Sequence, residues 1–439
     1  MNCFFALRVR TSVLLLVPFA AGLVHGQESA GKEALDEIVV TATRMRAPVR
    51  EVPRSISVVG QERIQNATQQ LALDEALSVV PGLYMQNRYN FSQDLRLSLR
   101  GFGARSGFGI RGIRVYVDGI PETLPDGQAQ VDSIDLGSAG SIEVLRGPAS
   151  SLYGNAAGGV IAVETELRGA NPFVEGGVAG GELGFEKYQL KTGGAYGSVD
   201  YLLNASRQEL DGYRDHSFSR GTLLNGKLGI NLTEDDRFIV AINHTDQPES
   251  EDPGGINEEE LAADIRAARD LNVLFNAGEA LSQQRIGFVY ERDRDYGDLL
   301  LRNYYVWRDF SNELPFTDGG AVDLQRFFYG VGAQYTPRGL FPDRFQLTAG
   351  LDLDRQDDDR RRFNNDLGVR GDLTFDQQER VDSTGIYLQA QYQLTDDLAM
   401  SAGLRYDEIT FDINDRFLQD GDDSGEIDFN EWSPSAGLN

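Results

Sequence analysis

Beyond Cys3 the chain has no cysteine, which removes disulfide frameworks, thiolate metal sites and cysteine nucleophiles from the functions open to it. Long apolar runs are equally scarce. After the first 26 residues no stretch reaches the roughly 18 apolar residues that a membrane-spanning helix needs. Positive charge is in deficit, 41 Lys and Arg against 68 Asp and Glu, for a formal net charge of -27. Nucleic acid, whose phosphates draw Lys and Arg, is therefore an unsuitable partner, and the charge itself reads as a solvated acidic surface. His216 and His244 stand too far apart in sequence to suggest a metal pair, and are expected as exposed loop or rim residues. No serine, histidine and acid arrangement carries a nucleophile context, so nothing points to an enzyme.

What is present starts with an export signal. Arg8 and Arg10 precede an apolar run from Val13 to Val24, and small or polar residues follow around Gly26 and Gln27. Residues 1–26 are assigned to this signal, which leaves a soluble periplasmic protein or an outer membrane barrel. A length of 439 residues implies more than one domain. Residues 27–46 are polar except for Ile38, Val39, Val40 and Thr41, a short strand former in an otherwise polar arm. Such a segment suits docking by strand addition; the alternative is an ordinary first strand.

Residues 47–168 mix a helical stretch, NATQQLALDEALSVV, with short strands such as LRLSLRG and IRVYVDG. Leu71, Leu73, Ala76, Leu77 and Val80 mark the helix's packed side, and Pro81 and Gly82 stop it. This reads as a compact α+β domain. From residue 169 to 439 the pattern becomes segments of about ten residues that alternate apolar and polar, as in YLLNASRQEL and GIYLQAQYQL. Every second connection is a tight turn. The returns are longer, at 211–218, 247–281, 310–320, 357–380 and 412–430. Segregated loops of this kind fit a transmembrane antiparallel β-barrel. About eleven strands are complete, a twelfth is expected from Trp432, and the last residue, Asn439, falls mid-strand. An open sheet in lipid leaves backbone groups unsatisfied at several kcal/mol each, so a longer protein, with only about half of its barrel strands here, is expected.

The motifs DEIVVTATR, LSLRGFG, VYVDGIP and IEVLRGPASSLYGNAAGGVI resemble those of TonB-dependent outer membrane receptors, in the family's order. The run QDLRLSLRGFGARSGFGIRGIRVYVDGIPETLPDGQAQ, with DGYRDHS and GDDSG further on, is most similar to receptors for pyrroloquinoline quinone, and less closely to ferric citrate receptors. The resemblance implies a plug inside a 22-stranded barrel, acting as a monomer in the outer membrane of a Gram-negative bacterium. It also implies a TonB box at Asp36, Glu37, Ile38, Val39, Val40, Thr41 and Ala42, which binds TonB and through it the inner membrane energising complex. The cargo is a scarce small anion: pyrroloquinoline quinone, or an iron chelate such as ferric citrate or a siderophore. No cofactor is required.

The same resemblance places the substrate at the outward tips of the plug. Tyr89 and Phe91 lie in one tip, Arg105, Phe108 and Arg111 in a second, and Asp126 and Gln128 in a third that runs from Glu122 to Gln130. Arginines grip carboxylates by paired hydrogen bonds, and rings stack on planar ligands. The alternative is that these arginines pair within the plug or wet its surface. Arg100, Glu143 and Arg146 are expected to meet charges on the inner barrel wall. The glycines of RGP, YGN and GGVI serve turns and close approach.

Three other strings bear on function. GFGARSGFG lacks the glycine spacing and the following helix of a dinucleotide loop. Asp420, Asp422, Ser424, Asp428 and Glu431 fit EF-hand positions 1, 3, 5, 9 and 12, with Gly425 at the turn. The flanks are not helical, so the string reads as a chance match in an acidic outer loop, with weak calcium binding as the alternative. Residues 258–274 form a loop helix with Leu261, Ile265 and Leu271 packed locally. Against import stands a non-transporting role on the same barrel, a calcium-dependent adhesin or a surface receptor.

Overall fold

The computed structural model describes Arg44, the backbone of Val39–Val40 and Ala47–Pro48, and residues 54–439 except 67, 94, 107–108, 167–170, 340–343 and 396–397. Two short strands, β1 (Val39–Val40) and β2 (Ala47–Pro48), pair antiparallel.

The domain that follows is built on a five-stranded sheet. Its strands are β3 (Ser55–Gly60), β7 (Ile113–Val117), β8 (Ile120–Pro121), β10 (Ala139–Arg146) and β11 (Gly159–Thr165), in the order β3-β10-β11-β7-β8. Around it lie the helices α1 (Gln61–Gln65), α2 (Leu73–Leu77) and α3 (Ser150–Tyr153), the pair β4 (Leu83–Gln86) with β5 (Arg96–Leu99), and the pair β6 (Ile110–Arg111) with β9 (Gln128–Ala129). One face packs Val59, Ile64, Leu77, Leu99, Val115, Ile142 and Ile161 into a dry core. Gly159 sits at φ +140, with the Leu145 carbonyl 2.1 Å from where a Cβ would be, so any side chain there would force strands apart.

The expected helix over 66–80 is much shorter. Glu75 turns back along its own chain, and its carboxylate accepts hydrogen bonds from the amides of Gln69, Gln70, Leu71 and Ala72. Those amides cannot then enter a helix, and Gln70 takes φ +55. Apolar spacing had signalled a helix; a side-chain cap ended it.

The second half is one antiparallel sheet of twelve strands in sequence order. They are β12 (Phe173–Gly180), β13 (Glu186–Tyr196), β14 (Val199–Leu210), β15 (Ser219–Asn231), β16 (Asp236–Glu251) and β17 (Gly278–Arg294), then β18 (Gly297–Glu313), β19 (Ala321–Pro337), β20 (Phe345–Asn365), β21 (Arg370–Thr395), β22 (Leu398–Asp415) and β23 (Gly425–Leu438). Connections at 197–198, 232–235 and 295–296 on one edge are tight and those at 211–218, 252–277 and 416–424 on the other are longer, whereas 338–344 on the first edge is as long as 314–320 on the second. The twelfth strand begins at Gly425 rather than Trp432, and the last loop shrinks to 416–424.

The largest departure is at 357–380, which is strand rather than loop apart from a four-residue turn at 366–369. Its charges are paired across strands: Arg380 with Asp357 at 2.9 Å, Arg355 with Asp382 at 2.5 Å, and Arg416 with both Asp359 and Asp376 at 2.7 Å. Polarity there reflects a ladder of ion pairs, which sequence polarity alone cannot distinguish from a loop. In the long loop 252–277 the expected single helix is two, α4 (Glu258–Ala263) and α5 (Asp270–Leu274), and Leu261, Ile265 and Leu271 are exposed rather than packed.

Period two gives each strand of this wall two unlike faces. On β18, Arg302, Tyr304, Val306 and Arg308 are buried toward the plug, whereas Tyr305 and Trp307 point away. The face turned away carries aliphatic Leu301, Val331, Leu353, Ile386, Leu388 and Leu404 between two aromatic groups. One group contains Phe238, Phe288, Phe345 and Tyr392; the other stacks Tyr305, Trp307, Phe327 and Tyr329 at centroid distances from 5.1 to 6.4 Å. On β19 Phe327 and Tyr335 belong to the two groups and lie roughly 27 Å apart at about 3.4 Å per residue.

Candidate functional site

The opposite face of the wall is polar, and it holds the first domain by charge. Lys227 on β15 donates to Asp118 at 2.6 Å, and the same carboxylate accepts the backbone amide and hydroxyl of Thr165. Arg308 on β18 grips Asp132 with two hydrogen bonds of 3.0 and 2.7 Å. Arg285 pairs with Glu122, Lys191 with Glu166, and Asn204 donates to Asp135 at 2.6 Å. An apolar patch adds to this where Ile120 and Leu124 meet Ala241, Tyr304, Val306 and Phe328. A domain joined mostly by ion pairs and amides can separate in water at less cost than one joined by a dry core.

Of the residues expected at this seam, Arg146 instead donates to the Pro81 carbonyl inside its own domain, and Arg100 is exposed. The actual partners, Asp118, Glu122, Asp132 and Glu166, are acids in or beside turns. Sequence gave one signal, an excess of acids on the plug opposite isolated cations on predicted strands.

The densest cluster surrounds Asp352 on β20, which is 2% exposed. Its two oxygens accept from Arg302 at 2.5 Å, from Arg405 at 2.9 Å and from Arg44 at 2.9 Å. Arg44 belongs to the segment between β1 and β2. Its guanidinium also donates to the Tyr387 hydroxyl at 2.9 Å and lies 4.4 Å from the ring centroids of both Tyr387 and Tyr153. Gln334 donates to its carbonyl at 2.7 Å. The arm, the plug helix α3 and three wall strands thus meet at one buried guanidinium. Asp407 presses on the same helix: a Cβ on Gly154 would sit 2.8 Å from its Oδ1.

Of the seven arm residues assigned to docking, Asp36, Glu37, Ile38, Thr41 and Ala42 lie outside the described residues, and Val39 and Val40 are described only in backbone. Phe108 also lies outside them. Among the tip residues, β6 pairs with β9 and brings Arg111, Asp126 and Gln128 together. Arg111 donates to the Asp126 carbonyl at 3.1 Å and to Gln128 Oε1 at 3.4 Å, and remains half exposed. Arg105 is exposed on the preceding turn, Tyr89 is exposed beside Arg88, and Phe91 is half buried. Asn90 and Gln93 in the first tip donate to the two oxygens of Asp252, where the long loop 252–277 opens. Glu122, expected in the third tip, is buried in its ion pair with Arg285.

Asp420, Asp422 and Ser424 sit in the last loop, whereas Asp428 and Glu431 lie three apart on β23 and so face opposite sides of the sheet. Asp428 accepts from Thr410 at 2.6 Å. A single ion cannot reach all five side chains in this arrangement. His216 is largely covered, against the expectation, and meets the Ala277 carbonyl at 2.8 Å; no His, Cys, Asp and Glu grouping suited to a metal occurs among the described residues.

Two family models match the chain: the TonB-dependent Receptor Plug Domain over residues 48–160, and the TonB dependent receptor-like β-barrel over residues 225–439. The chain is 24% identical to the rhizobactin receptor of Rhizobium meliloti over 92% of its own length and 59% of that protein's. It is 30% identical to the pesticin receptor of Yersinia pestis over 51% of its length and 34% of the other. Its fold is similar to that of the ferric citrate transporter FecA in the unliganded form, with TM-score 0.73 and 18% identity over 89% of this chain and 60% of that one. The chain therefore spans less than two thirds of the length of each of these three proteins.

Proposed function

Because the chain belongs to the TonB-dependent receptor family, we propose that it serves as an outer membrane transporter that takes up a scarce small anion and is opened from the periplasm through TonB. The cargo in this reading is pyrroloquinoline quinone or an iron chelate such as ferric citrate or a siderophore. The aliphatic band between two aromatic groups sits in lipid, close to the roughly 25 Å apolar height of outer membrane barrels. The edge of tight turns then faces the periplasm, and the edge of long loops faces outward.

The observation that carries the reading is the seat of Arg44. Two residues beyond Ala42, the chain is tied to the wall through Asp352 and Tyr387, and to the plug through the Tyr153 ring. Tension applied by a partner strand added along Asp36–Ala42 passes first to this guanidinium, and then to the polar seam around the plug. No nucleotide is available at an outer membrane, so force transmitted along the arm is the available source of work. Deleting residues 36–42 is expected to abolish uptake while ligand binding at the surface persists. Undiminished uptake in that deletion would remove the coupling from the account.

A further inference from the structure

Loop 211–218 joins β14 to β15, and loop 252–277 joins β16 to β17. The two are locked together near their bases. The Asp215 amide donates to the Arg266 carbonyl at 2.8 Å, and the Arg214 guanidinium donates to the carbonyls of Pro253, Gly254 and Ala267. His216 follows at φ +53, a left-handed conformation that a residue with a side chain keeps where its surroundings enforce it. Its ring supplies contacts that do so. Nε2 lies 2.8 Å from the Ala277 carbonyl, and Nδ1 lies 3.4 Å from one carboxylate oxygen of Glu251, whose other oxygen accepts the Phe218 amide at 2.9 Å.

Both ring nitrogens thus face oxygens. A carbonyl and a carboxylate only accept hydrogen bonds, whereas a neutral imidazole has one donor and one lone pair. With its hydrogen on Nε2 the neutral ring keeps Ala277, but it turns the Nδ1 lone pair on the Glu251 carboxylate. The imidazolium, with a hydrogen on each nitrogen, satisfies both partners. Other charges at this junction are Asp215, its neighbour in the chain, and Glu279, which lies opposite Ser250 on β17; both are acidic. Asp252 is taken up by Asn90, Gln93 and the Gly254 amide, and Glu249 by Arg220. The Asp211 carboxylate lies against Gly184, Arg266 lies over the Tyr213 ring, and Arg269 is exposed. The Ala277 carbonyl also accepts the Asp252 amide at 2.9 Å, so the histidine shares an acceptor with the residue that holds the first plug tip.

We propose that His216 is a pH-sensitive latch: as the imidazolium it pins the two loops to each other and, through Asp252, to the plug tip, and on losing its proton it lets them loosen. Imidazole changes charge between about pH 5 and 8, so the latch is closed in acid surroundings and loose at the alkaline end. The latch itself goes beyond the import reading; its use as a guard of the mouth rests on that reading.

The test uses the full-length receptor with a spin label at Ile265→Cys, an exposed position on the longer loop. The ratio of mobile to immobile label is expected to rise about tenfold between about pH 5.5 and about pH 8, the worth of one charge-assisted hydrogen bond. Glu251→Gln should stay immobile at the alkaline end, because its amide oxygen can keep Phe218 while its nitrogen donates to the neutral Nδ1. His216→Gln has no proton to gain and should show the loose state at every pH. The two variants err in opposite directions, so a general loss of structure cannot imitate both. A label whose mobility does not change with pH, a Glu251→Gln form that loosens as its parent does, or a His216→Gln form that keeps the parent's pH profile would each overturn the proposal. Uptake after deletion of residues 36–42 is a separate measurement, so the latch and the transport reading fail independently.

Discussion

The guanidinium of Arg44 and the carboxylate of Asp352 lie 2.9 Å apart, across 308 residues of sequence, and both are almost fully buried. Arg44 also holds φ +61, a backbone region that costs a non-glycine residue roughly 1 kcal/mol or more unless its surroundings enforce it. Removing the side chain should therefore release the arm. A spin label at Val40→Cys meets no other cysteine within residues 27–439. The label is expected to give a slow-motion spectrum with Arg44 present and a fast one in Arg44→Ala. Asp352→Asn should do more damage than Arg44→Ala, since three arginines share that carboxylate, and orphaning buried charge costs on the order of 3–5 kcal/mol. Equal melting of the two variants would contradict the shared role.

Asp118 gives a pH prediction whose sign depends on Lys227. Burial alone would raise the carboxyl's pKa, but the Lys227 ammonium and the hydrogen bonds from Thr165 outweigh it and hold the group below its ordinary value. A carboxyl depressed in the docked plug stabilises docking above its free pKa of about 3.9 and loses that contribution as pH falls through the docked value. Protection of the Thr165 amide, which donates to Asp118, measured relative to its intrinsic exchange rate at each pH, should thus be steady from neutrality to about pH 4 and fall below it. In Lys227→Met the trend inverts. Burial then dominates, the plug is held worst at neutral pH, and protection improves on acidification.

How much of this arrangement sequence could reveal depended on how local its causes are. Period two in the wall strands is written into consecutive residues, so strand number, order and tight turns were all legible. Asp118 and Glu122 were not, because DG and IPE read as turn residues. Their burial is decided by Lys227, 109 positions from Asp118, and by Arg285. The inward apolar side chains of β22 were missed for a related reason. Ile409, Phe411 and Ile413 alternate like any barrel strand, and only the register against Asp352 and the plug shows that these side chains face inward. The assigned tip residues Arg111, Asp126 and Gln128 do converge, through the pairing of β6 with β9, whereas Arg105 and Tyr89 stand apart from them.

The ladder that replaced the expected loop at 357–380 should be collectively strong and individually weak. Its arginines are more than a third exposed, and surface ion pairs contribute about 0–1 kcal/mol apiece. Arg380→Ala alone is expected to leave protease resistance at the 366–369 turn unchanged. Replacing Arg355, Arg380 and Arg416 together should fray β20 and β21 beyond the aromatic group and open that turn to cleavage. High salt should weaken the parent protein in the same direction. Cleavage of the single variant at the triple variant's rate would show that one pair carries the structure.

Both tryptophans report on the membrane. Trp307 stacks with Phe327 at 5.3 Å on the outer face of β18, and Trp432 lies 4.9 Å from Tyr406 on the outer face of β23. Both lie on the same surface of the wall, so emission from residues 1–439 reports on that surface. Aromatic side chains with a polar edge settle at the junction of headgroups and hydrocarbon. In liposomes made with brominated lipids, quenching should be strongest when bromine sits high on the acyl chain near the headgroup, and weaker when it sits at the bilayer centre. The Trp432→Phe form should keep that depth profile, because Trp307 remains in the aromatic group of Tyr305, Phe327 and Tyr329. A profile strongest at the centre would place the charged ladder of β20 and β21 inside hydrocarbon, where paired Arg and Asp side chains at its outer edge could not be tolerated.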